Sequence, residues 1–545
     1  MDSHDSLTRA PATLIDNADK LSKDASPRDV FETSSICGID SSDFPELPEP
    51  SWSKYVPSIY SEKRVLDLSA FQMKWSVQVV AGIAVLFFGF DQGVMSGVNE
   101  SKDYLRLMGT ASGVDGNETQ RDSAAIGGIV AIYYLGTLFG GLLGGYMADS
   151  AGRMKAIFLG SLWVILGTSL QASAQNITWM MFARVITGCG TGIYNAVVPV
   201  WVAELSKHDK RGQAIGFEFV FNILGLALVY WLSFGVRNLE TEGFNWRFPL
   251  AFQLVFVLML LHDIHVAEEL QEILDVAKLE RIRQENGEDG YIRMIATSGG
   301  KLHIRRRIVL AIWLQILQEL AGIGVITVYA PTVFRSGGFN DTLARLLSGF
   351  NDVSYMFSVF ISVFTLDRTG RRKTLFIGNV IMGVSLFIAG VAAKYALQYG
   401  PDSPTADLQL AKQWGAALAT MIFIYTAAFG GIGWLCVPWL YPTEIFPLFI
   451  RARGGAVSVF GWSLGNGLVT EITPFLFNAI KYNTFFLFGA LNFFCMPFVW
   501  AFYPETSCRS LESMDELFAG DSAFIAFDKH LTMVPRTKED QKTNG

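Results

Sequence analysis

Long apolar runs recur along the chain and alternate with short polar segments. Eleven such runs lie at roughly 75–96, 125–147, 156–175, 180–203, 213–236, 308–334, 350–366, 374–396, 414–440, 455–480 and 484–503. Most of them approach or exceed the ~20 residues that an α-helix needs to cross a bilayer. Membrane β-strands would alternate between apolar and polar positions over about ten residues, which these runs do not do. The pattern predicts an all-α polytopic membrane protein.

Composition supports this class and narrows the chemistry. The chain is 51% hydrophobic and 17% charged, whereas an average soluble domain carries about 25% charged residues. Residues 1–70 are polar and rich in Ser, Asp and Pro, which predicts a disordered cytosolic arm and no cleavable signal peptide. The five cysteines have no metal or disulfide spacing, and no phosphate loop or nucleophile elbow is present. We therefore expect no enzymatic activity, no cofactor, no metal and no nucleic acid partner.

Basic residues concentrate in alternate loops of the predicted helical chain, and the loops between them are short or mixed in sign. By the positive-inside rule, the basic loops and both termini should face the cytosol. These loops carry Arg153 and Lys155, Lys207 to Arg211, Arg305 to Arg307, Arg368 to Lys373, and Arg451 with Arg453.

Two short strings occur once in each half of the chain. DSAGRMK (149–155) is echoed by DRTGRRK (367–373), and ELSKHDKR (204–211) by EIFPLFIR (444–451). Many transporters are built from duplicated halves with the substrate site at their interface. The repeats therefore predict two related halves.

Several longer motifs carry a resemblance to a known family. They are GFDQGVMSG (89–97), PVWVAE (199–204), NWRFPLAFQ (245–253), LQELAGIGVITVYAP (317–331), PWLYPTEIFP (438–447) and YPETSCRSLESMDELF (503–518). With them, the chain resembles the fungal type of the sugar porter family in the major facilitator superfamily, over about residues 70–520. The resemblance implies twelve membrane-spanning helices in two six-helix bundles around a central cavity. It also implies a monomeric carrier of a sugar or polyol in the plasma membrane, working with protons and lipid as its other partners.

The resemblance divides the chain into five regions. We expect an N-terminal arm (1–70), an N-terminal bundle (71–262), a cytosolic helical linker (263–304), a C-terminal bundle (305–504) and a cytosolic tail (505–545). The sixth span is abnormally short, because only Phe248–Leu261 is apolar, and fourteen helical residues cover ~21 Å of a ~30 Å hydrocarbon core. Either the bilayer thins around this span, or the chain is an internally shortened version of a normal gene product.

One carboxylate, Asp91, falls inside a predicted span. A buried carboxylate must pair or be protonated, and Arg184 is the only basic residue in the run 180–203. The resemblance implies proton coupling, in which the carboxylate takes up a proton and releases its arginine. The alternative is a permanent tie between helices, as in an uncoupled facilitator.

Sugar recognition needs amide and hydroxyl partners together with an aromatic platform. In span 7, Gln315, Gln318 and Gly322 share one helix face by their i, i+3, i+7 spacing. The residues and the resemblance together give the substrate candidates Gln315, Gln318, Glu319, Tyr329, Trp434, Trp439, Asn466 and Phe219. Core packing is an equally good interpretation of Trp434.

The chain departs from the family pattern at several of these positions. Glu319 replaces the second glutamine of a pair, Gly324 replaces an asparagine, and Phe219 stands at the customary glutamine of span 5. These departures argue against a standard glucose site, so a different sugar, a disaccharide or a polyol stays open. Glu319 is also a candidate for a second proton site.

The resemblance implies a cytosolic gate, a charge cluster that holds the two bundles together when the site faces outward. Because each exposed ion pair contributes only ~0–1 kcal/mol, only a network would bias the two states appreciably. The gate candidates are Asp149, Arg153, Glu204, Arg211, Asp367, Arg371, Glu444 and Arg451.

The sequence thus predicts a membrane carrier that moves a sugar or polyol by alternating access, coupled to protons through Asp91. Three alternatives stay open: an uncoupled facilitator, a nutrient sensor that binds without transport, and an inactive shortened paralogue.

Overall fold

Helices make up nearly all of the chain that the computed structural model describes. It describes residues 70–110, 120–206, 210–237, 243–267, 303–401, 403–447, 450–507, 514, 517 and 518, with side chains from 78 onward and, in the helix ending at 267, up to 261. No strand occurs within these ranges. All of the predicted arm (1–70) except residue 70, most of the linker (263–304) and most of the tail (505–545) lie outside the described residues.

Sixteen helices follow one another in the described ranges. They are α1 (Ala70–Val98), α2 (Lys102–Met108), α3 (Gln120–Ser150), α4 (Arg153–Ala172), α5 (Ile177–Leu205), α6 (Arg211–Val236), α7 (Phe244–Ala267), α8 (Ile304–Leu320), α9 (Ile323–Val328), α10 (Ala330–Arg335), α11 (Asp341–Thr369), α12 (Arg371–Gln398), α13 (Leu408–Gly431), α14 (Val437–Ile445), α15 (Arg451–Ile480) and α16 (Asn483–Phe502).

Ten of the described helices are long and apolar enough to cross a membrane. These are α1 from Gln78 onward, α3 to α7, α11 to α13 and α16. Two further helices occupy apolar runs of the sequence, α8 with 17 residues and α15 with 30 residues. The prediction of an all-α polytopic membrane protein is confirmed. The count of twelve crossings stays a prediction.

The sixth span has more helix than its apolar core suggests. Helix α7 has 24 residues, which corresponds to ~36 Å and exceeds the ~30 Å hydrocarbon core. Its apolar part is the 18 residues Phe244–Leu261. At its beginning, the Arg247 guanidinium lies over the Trp246 ring at 4.4 Å and donates to the Ala174 carbonyl oxygen at 3.3 Å. The helix is therefore long enough to cross the hydrocarbon core, and the abnormally short sixth span stays a prediction.

Helix packing follows the two predicted halves. In the first half α3 and α4 pack on α5, α1 packs on α6, and α7 packs on α1 and α4. In the second half α12 packs on α13 and α16, α11 packs on α13, and α8 packs on α15. Between the halves, the extensive contacts are those of α3 with α15 and of α6 with α11. The interface between the halves is thus built from two helix pairs, with space left between the pairs.

Predicted spans 7 and 10 are both interrupted. Span 7 breaks between α8 and α9, where Gly322 has φ +97°, and span 10 breaks between α13 and α14, where Gly433 has φ +96°. Glycine adopts this left-handed backbone at little cost. The expected helix face of Gln315, Gln318 and Gly322 is therefore wrong at Gly322, because α8 ends at Leu320 before it. A broken helix exposes carbonyl groups that side chains must satisfy inside a membrane. At the first break, the Ala321 carbonyl oxygen accepts from the Tyr425 hydroxyl at 2.8 Å and from Asn492 Nδ2 at 2.9 Å.

Candidate substrate cavity and charge clusters

A central cavity lies between the two halves. About 390 Å³ of space not filled by atoms, open solvent included, lies there. Its wall is formed by α1, α6, α8, α9, α11, α13, α14, α15 and the second break. The lining residues are Phe88, Gln92, Phe219, Asn222, Ile223, Leu226, Gln318, Glu319, Ile323, Thr327, Tyr355, Phe429, Leu435, Trp439 and Trp462.

Aromatic rings form one wall of the central cavity. Trp439 and Trp462 have ring centroids 5.6 Å apart. Phe88 lies 5.3 Å from the Trp462 ring and 6.1 Å from the Trp439 ring, while Phe219 lies 5.8 Å from Trp439. Such a wall suits the C–H faces of a sugar ring or a cation.

Four of the eight substrate candidates line the central cavity: Phe219, Gln318, Glu319 and Trp439. The other four lie beside it. Gln315 Nε2 donates to the Pro438 carbonyl oxygen at 3.1 Å, and the Tyr329 hydroxyl donates to the Thr470 carbonyl oxygen at 3.0 Å. In the structure, Gln315 and Tyr329 therefore hydrogen-bond to backbone carbonyl groups and do not line the cavity.

Trp434 and Asn466 also lie outside the lining. The Trp434 indole is fully buried and donates to the Leu375 carbonyl oxygen at 2.9 Å, which is the core-packing position considered above. The Asn466 side chain is buried, and neither its Nδ2 nor its Oδ1 has a hydrogen-bond partner among the described residues.

The second break fixes the orientation of Gln318. Its Nε2 donates to the carbonyl oxygens of Trp434 at 2.9 Å and of Leu435 at 3.2 Å. Because a carbonyl oxygen can only accept, the amide nitrogen must face the break. Gln318 Oε1 is the free end of the amide, buried without a partner among the described residues.

The structure brings Asp91 and Arg184 together. Arg184 Nη1 lies 3.4 Å from Asp91 Oδ1, with side-chain exposures of 1% and 0%. The Thr191 hydroxyl donates to Asp91 Oδ2 at 3.2 Å, and the Arg184 guanidinium lies over the Tyr133 ring at 4.4 Å. On α1, Phe88 and Gln92 flank Asp91 and line the central cavity, so this charge pair adjoins the cavity wall.

The cytosolic-end cluster comprises Asp149, Arg153, Glu204, Asp367, Arg371, Glu444 and Arg453, at the end of the molecule that the basic loops predict to face the cytosol. Within the halves, Arg153 pairs with Glu204 at 3.0 Å, and Arg371 pairs with Asp367 at 3.0 Å and with Glu444 at 2.6 Å. Between the halves, Arg453 pairs with Asp149 at 3.0 Å.

Two other gate candidates hold backbone beside this cluster. Arg211 Nε donates to the Ala203 carbonyl oxygen at 3.2 Å, and Arg451 Nε donates to the Phe446 carbonyl oxygen at 3.4 Å. A further contact between the halves runs from the Gln213 backbone N–H to Asp367 Oδ2 at 3.0 Å.

The outer-end cluster lies at the opposite end and comprises Glu100, Arg237, Arg335, Asp341 and Arg345. Glu100 pairs with Arg335 and, at 2.8 Å, with Arg345. Asp341 pairs with Arg237 at 3.0 Å, with Arg335 at 3.2 Å and with Arg345 at 2.9 Å. A second cavity of about 420 Å³ adjoins this cluster.

Comparison with known proteins assigns the fold to a family. The family model described as "Sugar (and other) transporter" matches residues 77–518. The chain belongs to this sugar transporter family. The MFS-type transporter oryC of Aspergillus oryzae is 30% identical over 499 residues, covering 85% of this chain and 89% of the relative. The Sugar transporter STL1 of Saccharomyces cerevisiae is 26% identical over 485 residues, covering 83% of this chain and 82% of the relative.

Solved structures of the proton:xylose symporter XylE share the fold. The complex with 6-bromo-6-deoxy-D-glucose is 23% identical with a TM-score of 0.68, and the match covers 83% of this chain and 100% of XylE. The partially occluded inward open form from E. coli is 23% identical with a TM-score of 0.62, at 81% and 100% coverage. The predicted sugar porter fold of the major facilitator superfamily is thereby confirmed.

Sequence reasoning missed several residues of this sugar transporter family member. Phe88 and Trp462 complete the aromatic wall, and Arg453 supplies the ion pair between the halves at the cytosolic end. Trp462 carried a usable signal, because the family resemblance implies an asparagine at this position of predicted span 11, so the tryptophan is a departure like Phe219. The outer-end cluster carried none, since its members share no motif. Among the described residues, no group of three or more His, Cys, Asp or Glu side chains is placed to hold a metal ion.

Proposed function

We propose that this protein is a plasma-membrane carrier that moves a sugar or polyol by alternating access, driven by protons through Asp91. The observation that carries the proposal is the central cavity between two halves whose ends are joined by ion pairs on either side. A carrier needs this arrangement, in which the site is enclosed and either end can open. The sugar transporters among its relatives support the substrate class.

Proton coupling follows from the position of Asp91. In its ionised form, Asp91 neutralises the charge of Arg184, and both side chains are buried. Protonation would remove that charge and leave the guanidinium without its counter-ion, which is costly in a low dielectric. Arg184 would then move, and α1 would carry the change to Phe88 and Gln92 in the cavity wall. The likeness to XylE, which is a proton:xylose symporter, supports this coupling.

The test uses the purified full chain in vesicles with a panel of radiolabelled sugars and polyols, with and without an inward proton gradient. The proposal expects gradient-driven accumulation, and expects Asp91→Asn to abolish accumulation while exchange across the vesicle membrane continues. The matched control is Asp352→Asn, because Asp352 is an equally buried carboxylate on α11 outside the cavity lining.

Each outcome decides a separate part of the proposal. Uptake that ignores both Asp91→Asn and the external pH would leave an uncoupled facilitator. A chain that binds panel members without moving them would be the sensor described above. A chain that neither binds nor moves any of them would end the sugar-carrier proposal.

A further inference from the structure

Glu319 is the least satisfied charged group in the wall of the central cavity. It is 2% exposed, and its Oε2 has no hydrogen-bond partner among the described residues. The Trp462 side chain bonds to the same carboxyl. None of the described residues lining the cavity is Lys, Arg or His. A buried carboxyl group in such a wall lacks a counter-ion, so it must either be protonated or receive a positive charge from something that enters the cavity.

The neighbouring residue Gln318 also presents a hydrogen-bond acceptor without a partner among the described residues, its Oε1 atom. Gln318 commits its amide nitrogen to the carbonyl groups of the second break, so it offers the cavity only its Oε1. Among the described lining residues, the buried side-chain polar atoms without a partner are Gln318 Oε1 and Glu319 Oε2. With Glu319 ionised, both are acceptors, so this corner of the cavity selects a ligand group that donates hydrogen bonds.

Aromatic rings stand across the same cavity. Trp439, Trp462, Phe88 and Phe219 lie with neighbouring centroids 5.3–6.1 Å apart. Aromatic faces attract cations, and enclosures of several rings are a recurrent way to bind an ammonium group. Carboxylate, carbonyl acceptor and rings together are complementary to an N–H donor that carries positive charge.

We infer that the central cavity takes a polyhydroxylated substrate bearing a protonated amine, with the ammonium group against Glu319 and Gln318 Oε1. The inference rests on the proposed carrier function and names its substrate class as an amino sugar or amino polyol. The hydroxyl groups of such a substrate can use the remaining polar lining residues Gln92, Asn222 and Thr327. No proton needs to be stored on Glu319, because the substrate itself neutralises it.

The test compares ligands that differ by one group. Glucosamine is paired with glucose, and 1-amino-1-deoxysorbitol with sorbitol, at a pH where the amines are protonated. Binding to the purified full chain is measured by quenching of tryptophan fluorescence, and transport by uptake into vesicles. A hydrogen-bonded charge pair corresponds to about tenfold or more in affinity, so each amine should bind at least about tenfold more tightly than its hydroxyl counterpart.

Glu319→Gln provides the decisive variant, because glutamine keeps the shape and removes the charge. It should erase the preference for amines and leave the affinity for glucose and sorbitol equal or higher. Asp352→Asn should keep the preference. If Glu319→Gln does not fold, N-acetylglucosamine decides with the unmodified chain, since acetylation removes the charge and should cost the same tenfold.

Two results would overturn the inference. One is glucose or sorbitol binding as tightly as its amine. The other is an amine preference that survives in Glu319→Gln. In either case continued uptake of a neutral sugar or polyol would leave the proposed carrier function standing. Tight glucose binding whose pH dependence disappears in Glu319→Gln would assign a proton to Glu319 in place of an amine.

Discussion

The two charge clusters differ in what their ion pairs connect. At the outer end, three of the five ion pairs formed by the described residues join the halves, through Glu100 to Arg335 and Arg345 and through Asp341 to Arg237. At the cytosolic end, one ion pair among the described residues joins the halves, Asp149 with Arg453. The remaining pairs of that cluster tie helices together within one half.

Burial separates the clusters further. The Asp341 side chain is 47% exposed and Arg237 is 37% exposed, whereas Arg371 is 3% exposed and Glu444 is 9% exposed. Exposed pairs contribute little and are screened by salt, while breaking a buried pair leaves a charge without a partner. The outer-end cluster therefore joins the two halves through several exposed, weak ion pairs. Most ion pairs of the cytosolic-end cluster instead join helices within one half.

The largest effect should come from Arg371→Ala. Losing this guanidinium leaves Glu444 buried without its ion-pair partner, which costs about 3–5 kcal/mol. We expect a matching loss in the free energy of unfolding, measured by denaturant titration in detergent micelles. Arg372→Ala is the neighbouring control, because Arg372 makes an exposed contact to the Trp500 carbonyl oxygen. If both variants lost the same free energy of unfolding, the buried ion pair of Arg371 would contribute no more to stability than the exposed contact of Arg372.

Asp149→Asn should have the next largest effect and should act on conformation. It removes the ion pair with Arg453, so the conformation that is open at the cytosolic end becomes more populated. The cavity is then less accessible from the outside. A cysteine placed by Gln92→Cys in the cavity wall reports this through an impermeant thiol reagent added outside. The labelling rate should fall about fivefold, for a shift of ~1 kcal/mol. An unchanged rate would remove the gate role of this pair.

Glu100→Gln should move the same reporter in the opposite direction. It breaks the pairs with Arg335 and Arg345 together, and both pairs join the halves. Because these side chains are partly exposed, we expect labelling from outside to rise about threefold. High salt should reproduce part of the rise in the unmodified chain. A fall in labelling would show that the outer-end cluster does not hold the halves closed.

Arg237→Ala should give the smallest effect. Its single ion pair to Asp341 is the most exposed between the halves, and such pairs contribute about 0.2–1 kcal/mol before salt screening. The labelling rate of the Gln92→Cys reporter should change less than about twofold. A change in labelling rate as large as that of Glu100→Gln would mean that side-chain exposure does not determine how much each ion pair contributes.

The fold was largely predictable because its signals are local. Apolar runs longer than a bilayer crossing give the helices, and Gly433 with its neighbouring glycines and Pro438 predicts the break in span 10. The contact of Asp91 with Arg184 was also predictable, because each is an isolated charge in an apolar run. The outer-end cluster was not, since Glu100 and Arg335 are 235 residues apart and no local pattern relates them.

The substrate cavity was predictable only in part. Gln318, Glu319 and Trp439 line it as proposed, because they lie in motifs that the resemblance already marked. Gln315 and Tyr329 do not line it, since each donates to a helix carbonyl group, of Pro438 or Thr470, that has a proline four residues on and therefore no helical N–H donor. Phe88 was missed although the run carried a signal, because Phe88 precedes Asp91 and Gln92 by three and four residues and so shares their helix face.

The interruptions in predicted spans 7 and 10 are linked by hydrogen bonds, because a side chain of each span donates to the backbone at the interruption of the other. Tyr425 of span 10 donates to the carbonyl group exposed at Gly322, and Gln318 of span 7 donates to carbonyl groups beside Gly433. If one span alone became a continuous helix, its carbonyl groups would accept from helical N–H groups, and the buried donor on the other span, Tyr425 or Gln318, would lose its acceptor. If the proposed substrate binds to the Gln318 amide, it contacts a side chain that already connects both interruptions, so substrate binding and movement of the two spans would be coupled.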